Sequence, residues 1–264
     1  MGMPFGYVAP EQQAKDKADF ASKGISRGRS VVVLQYDNGI LFVADNPSRA
    51  LHKISEIYDR IGFAAVGKYN EFENLRLAGV RYADVTGYQY DRADVTARGL
   101  ANAYAQTLGT IFTESIKPYE VELVVAEVGE DAATDQMYRL TFDGSVADEH
   151  GYVAMGGKTD EVARALKDTY TDGMPLARAL QAAVQALERQ DADRHLEATA
   201  LEAAVLDRTR EHRLFRRLPP ARIEQLLAEA GEQTGQQTDE QAGPADGGGG
   251  AAAAPSDTGN GSTT

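Results

Sequence analysis

Two short apolar runs, residues 31–34 and 40–43, flank the polar tripeptide Asp37-Asn38-Gly39. Asn-Gly readily adopts the two left-handed conformations of a tight type I′ turn, so this stretch predicts a β-hairpin. In front of it, residues 10–23 carry Ala14, Ala18, Phe20 and Ala21 on a modest apolar face. Pro10 suits a first helical turn and Glu11 its positive dipole end, while Lys23-Gly24 reads as a C-terminal stop.

The apolar rhythm beyond the hairpin predicts two more strands, one carrying Ile54 and Ile57 and one over residues 61–66, broken by Asp59-Arg60. It then turns helical. Phe72, Leu75, Leu77 and Val80 mark one helix, and Leu100, Tyr104, Leu108, Ile111 and Phe112 mark a second, with Pro118 closing the pair. Strands follow at 121–128, 137–142 and 152–155, with Asp143-Gly144 as the turn between the last two. Helices around 162–166 and 176–187, strands at 201–206 and 213–217, and a helix at 220–230 complete the series. Strands and helices come in blocks rather than alternating. Block order argues for an α+β fold, antiparallel sheets in layers with helices outside, against a doubly wound parallel sheet. No internal repeat is present.

The pattern ends at Gly231. Residues 231–264 hold no aromatic or branched aliphatic side chain, so they cannot bury enough apolar surface to offset the entropy of ordering. A disordered tail is expected there. At the other end, residues 1–9 contain two glycines and a proline without periodicity and read as mobile. Three regions result: 1–9, a globular domain over 10–230, and 231–264.

Composition narrows the function. Against 27 Lys and Arg stand 40 Asp and Glu, a formal net charge of −13, which repels phosphate backbones and makes nucleic acid a poor partner. There is no cysteine, which excludes disulfides and thiolate chemistry and suits a reducing compartment. No leader-like apolar stretch follows Met1 and no run approaches the ~18 apolar residues of a membrane span. A soluble cytoplasmic protein is expected, without a membrane partner.

Candidate chemistry is sparse. His52, His150, His195 and His212 are scattered without ligand spacing, so no metal and no cofactor is expected. Gly156-Gly157-Lys158-Thr159 is similar to the end of a phosphate loop, but Tyr152 stands where that frame needs its first glycine, leaving a strand-to-helix turn as the better reading. No G-x-S-x-G elbow occurs.

Long runs of sequence carry a resemblance. "RSVVVLQYDNGILFVAD", "NPSRALHKISEIYDRIGFAAVGKYNEF", "YAQTLGTIFTESIKPYEVELVVAEV" and "VAMGG" resemble proteasome subunits, and among them the alpha type of actinobacteria, over roughly residues 10–230. The resemblance implies a four-layer α-β-β-α sandwich of two antiparallel sheets with an extra N-terminal helix.

In the catalytic subunits of that family the first strand begins with a threonine freed by autocleavage after a glycine; its hydroxyl attacks and its own amine takes the proton. Here that place belongs to Arg29, behind Gly28. A guanidinium is no nucleophile, and residue 29 lies inside the chain, so the resemblance implies no catalytic residue. No serine stands near Gly157-Lys158, where active subunits carry one. Asp45 and Lys53 match an acidic and a basic position of the catalytic relatives. The alternative is a self-processing peptidase cut between Arg29 and Ser30, with Ser30 as nucleophile.

The resemblance also gives Lys53 and Gly67 a second role, lining a pocket between neighbouring subunits that takes the C-terminal carboxylate of a ring-shaped AAA-type ATPase activator. Residues 1–9, with Phe5, Gly6, Tyr7 and Val8, would form a gate over the axial pore of a seven-membered ring. The implied partners are further copies of the chain, a beta subunit carrying the catalytic threonine, the activator's C-terminal tails, and unfolded or tagged protein substrates.

Overall fold

The computed structural model describes residues 9–190 and 194–241, with side chains through 232. In chain order, α1 (Pro10–Ser26) leads into β1 (Val31–Tyr36), β2 (Gly39–Asp45), β3 (Ile54–Tyr58) and β4 (Ile61–Gly67). Then come α2 (Tyr69–Gln89), α3 (Ala97–Glu114), β5 (Val121–Glu127), β6 (Gln136–Leu140), β7 (Val146–Glu149) and β8 (Tyr152–Met155). Two helices follow, α4 (Thr159–Thr169) and α5 (Leu176–Glu188), then β9 (Leu201–Asp207), β10 (Phe215–Leu218) and α6 (Pro220–Gln241). The chain divides into Met1–Ala230 and Gly231–Thr264.

The ten strands form two antiparallel sheets, ordered β10-β9-β2-β1-β8 and β3-β4-β5-β6-β7. Three apolar cores lie between four layers. Val31, Val33, Ile40 and Phe42 of one sheet meet Ala64, Val66, Val124 and Ala126 of the other. The alternate residues Val32, Leu34, Leu41 and Val43 face Val162, Leu166, Leu180 and Val184 on α4 and α5. Phe63, Leu123 and Val125 pack under Phe72 and Leu75 of α2 and Leu100, Tyr104 and Leu108 of α3. Strands covered on both faces read as unbroken apolar runs rather than as alternation, which is why the hairpin stood out in the sequence. The architecture is the α-β-β-α sandwich with an N-terminal helix.

Four local expectations change. First, Tyr36 pairs with Gly39, so Asp37 and Asn38 form the hairpin loop, and only Gly39, at φ 150°, leaves the ordinary region. An added Cβ there would strike the Leu206 carbonyl, so β9, the strand next to β2, demands that glycine. Second, α1 does not stop at Gly24 but runs to Ser26; Gly24 lies under the side chain of Glu120, whose end a Cβ would push aside. Third, the turn at Asp143-Gly144 leads into β7, an edge strand with only Val146 and Ala147 as apolar residues, too polar to register as a strand. Its Asp148 and Glu149 put charge on that edge, a composition that disfavours edge-to-edge pairing. Fourth, α6 runs past residue 230 to Gln241 through a Glu- and Gln-rich stretch that favours helix without any core to bury.

Candidate functional site

The end of the first sheet nearest α1 gathers most of the residues singled out from the sequence. Gly28, Arg29 and Ser30 enter β1, and Asp45 closes β2, its amide bonded to the Ser30 carbonyl at 3.3 Å. The Asp45 side chain is only 8% exposed and is ringed by cations. Arg194 grips both its oxygens, Nη1 to Oδ2 at 2.7 Å and Nη2 to Oδ1 at 3.1 Å. Arg29 donates from Nη1 to Oδ1 at 2.8 Å. Lys53 reaches into the same cluster, its Nζ donating to the Arg29 carbonyl at 2.8 Å and to the Asp45 carbonyl at 3.3 Å. Burial pushes the Lys53 ammonium down to about 8, against the pull of the Asp45 and Glu202 carboxylates and with a further downward push from Arg29. Lys158 stands nearby, bonded to the Gln190 carbonyl.

Lys53 is fixed from behind by Glu202, a carboxylate at the start of β9 that is itself 8% exposed. Its Oε2 accepts the amide of Lys53 at 2.8 Å and the Asn46 side chain at 2.8 Å. Its Oε1 accepts the Ile54 amide at 3.2 Å and Arg217 Nη1 at 2.7 Å, with His52 Nδ1 at 3.2 Å. Arg217 also donates from Nη2 to the Ile54 carbonyl at 2.6 Å. Residues 52–54 are therefore clamped to β9 and β10 before β3 begins. Sequence reasoning missed Glu202; the signal was a lone acid inside the apolar run of β9.

Gly67 lies close by, its amide 3.8 Å from where a Cβ on Gly28 would sit. It takes φ 103°, and a Cβ on it would collide with the Glu120 carbonyl, so the backbone of β4 and β5 requires glycine here whatever binds outside. Glu71 of α2 secures this crossing. It accepts Lys117 Nζ at 2.7 Å and the Glu120 amide at 2.6 Å.

The remaining candidates fall as follows. Phe5, Gly6, Tyr7 and Val8 lie outside the described residues. Ser30 is wholly buried and donates to Gln190 Oε1 at 2.8 Å, so its hydroxyl is turned into the protein rather than toward a substrate. Gly156 and Gly157 press against residues 26–30: a Cβ on Gly156 would sit 3.0 Å from Ser30 Cα, and one on Gly157 2.7 Å from the Gly28 carbonyl oxygen. Backbone fills the space that a phosphate loop keeps open. Among the described residues no group of His, Asp and Glu is arranged to hold a metal, and no helix is long and apolar enough to cross a membrane. Chemically, the cluster offers positive charge: Arg29 and Arg194 grip one buried carboxylate, and Lys53 is held beside it by main-chain carbonyls.

Comparison with known proteins places this geometry in context. A family model described as "Proteasome subunit" matches residues 25–206. "Proteasome subunit alpha" of Thermomonospora curvata is 79% identical over 229 residues, covering 87% of this chain and 99% of that protein. The protein of the same name from Streptosporangium roseum is 69% identical over 229 residues, covering 87% and 88%. That from Frankia casuarinae is 64% identical over 236 residues, covering 87% and 98%.

Proposed function

The chain belongs to the proteasome family, as an alpha subunit, and from that premise we propose that its work is to scaffold, gate and dock rather than to cut. It assembles in the cytoplasm as a seven-membered ring on a ring of beta subunits, which carry the catalytic threonine. Residues 1–9 gate the axial pore, and the pocket at Lys53 and Gly67 receives the C-terminal carboxylate of a ring ATPase that delivers unfolded or tagged proteins. The observation that carries this reading is the cluster at the head of β1, where Arg29 and Arg194 pair with the buried Asp45 carboxylate and the Lys53 ammonium is held beside them on the Arg29 and Asp45 carbonyls. Arg29 fills the place of a nucleophile, Ser30 is buried, and the surplus positive charge suits an incoming terminal carboxylate. The Ser30 peptidase reading has no comparable support.

Lys53→Ala in the assembled particle tests it. A charged hydrogen bond is worth on the order of 1.5–3 kcal/mol, and several pockets on one ring act together, so the loss multiplies. ATPase-driven degradation is expected to fall sharply while ring assembly and unassisted peptide cleavage stay near normal. Normal ATPase binding combined with failed ring formation would make Lys53 a structural residue and the docking site misplaced.

A further inference from the structure

Asp45 needs one cation and has more. Arg194 already grips it through both oxygens in a paired geometry, with hydrogen bonds of 2.7 and 3.1 Å, so the carboxylate is neutralised without Arg29. Arg29 adds only one contact, through Nη1. Its side chain remains 44% exposed, and its Nε and Nη2 have no partner among the described residues. A guanidinium with one edge tied and the adjacent Nε–Nη2 edge open is pre-set to take a carboxylate in a two-pronged bond. Lys53 lies alongside. Two of the three donors on its Nζ go to the carbonyls of Arg29 and Asp45, and the third has no partner among the described residues. Lys53 is thus bonded to the Arg29 backbone, and the Arg29 guanidinium is close enough to oppose its protonation, less strongly than Asp45 and Glu202 favour it.

We propose that Arg29 is a second receptor for the docking carboxylate, binding it through the open Nε–Nη2 edge while Lys53 supplies one further hydrogen bond. The group that replaced the nucleophile thereby has a function of its own. The ligand class is a polypeptide C-terminus with a free α-carboxylate. This inference rests on the docking reading above and adds to it a residue and a geometry.

The test uses the assembled particle and a synthetic peptide copying the last eight residues of the organism's ring ATPase, made once with a free C-terminal acid and once as the amide. Affinities are measured for the unaltered particle and for Arg29→Ala, Arg29→Lys and Lys53→Ala. The unaltered particle is expected to prefer the acid. Arg29→Ala should weaken acid binding about tenfold or more and leave amide binding unchanged. Arg29→Lys, which keeps the charge but not the fork, should fall between. If Lys53→Ala loses the preference and Arg29→Ala keeps it, Arg29 only braces Asp45 and the inference is overturned while the docking reading survives. If neither substitution alters the preference, the docking reading itself fails and takes the inference with it. Equal weakening of acid and amide by Arg29→Ala would show a disturbed fold and overturn the inference as well.

Discussion

Replacing Glu202 by alanine removes the acceptor of five groups at once: the amides of Lys53 and Ile54, the Asn46 side chain, Arg217 and His52. The carboxylate is buried, and the two amides precede and open β3, so the cavity left by alanine strands them without an acceptor and leaves Arg217 held by the Ile54 carbonyl and a long contact to His52 Nδ1. Each buried amide left without a partner costs on the order of 1–3 kcal/mol, while Arg217, 40% exposed, can turn its charge to solvent. For a folded unit spanning Met1–Ala230, each kcal/mol shifts the melting temperature by roughly 2–4 °C. With two amides stranded, Glu202→Ala should therefore melt roughly 4–24 °C lower than the unaltered chain, the product of those ranges. Glu202→Gln, which keeps one carbonyl oxygen but not the charge, should lose less. Thermal unfolding followed by far-UV circular dichroism measures the shift. Hydrogen exchange locates it, since the amides of Lys53 and Ile54 should lose protection out of proportion to their neighbours. A shift below about 2 °C, roughly 1 kcal/mol at this size, with both amides still protected, would refute the clamp and leave Lys53 positioned by strand pairing alone.

Three further outcomes are expected. Because burial lowers the Lys53 ammonium to about 8 from its ordinary 10.5, its charge is present below that pH and lost above it. Binding of a free-acid activator peptide should therefore weaken as pH rises from 7 to 9.5, with a midpoint moved upward by the bound carboxylate, whereas Lys53→Arg should bind evenly across the range; a flat profile for the unaltered particle would contradict this. Gly67→Ala forces a side chain into φ 103° and onto the Glu120 carbonyl, so it should lower stability by more than ~1 kcal/mol in urea unfolding, and an unchanged midpoint would show that β4 and β5 can part there. Deleting residues 1–9 should raise the rate at which assembled particles degrade an unfolded protein more than the rate for short peptides, and unchanged rates for both would make the segment an idle terminus.

The layers were legible in the sequence because each sheet is covered on both faces, giving unbroken apolar runs such as residues 40–44. The geometry that depends on distant contacts was not. Local turn and cap rules single out Gly39 and Gly24, yet it is the Leu206 carbonyl that excludes a Cβ at Gly39, and Gly24 lies inside α1 under the Glu120 side chain. β7 is a polar edge strand whose only signature is pairing with β6. Arg29, Asp45 and Lys53 could be picked out by resemblance, and their hydrogen bonds to one another were not visible in their spacing. Arg194 and Glu202, more than 140 residues downstream, carried no motif at all. Glu202 reaches the site because β9 pairs with β2, which brings Leu201 opposite Asp45, and Arg194 lies on the segment that leads into β9.

The central claim is that this subunit shapes and serves a protease without being one. Native mass spectrometry of the chain co-expressed with a beta subunit from the same organism, followed by peptide-cleavage assays on each separated species, tests it most directly. The account predicts a stacked-ring particle in which this chain keeps residues 1–29, with cleavage abolished by disabling the beta subunit's threonine and untouched by Ser30→Ala. A chain found shortened to begin at Ser30, with cleavage by the isolated chain that Ser30→Ala removes, would contradict it.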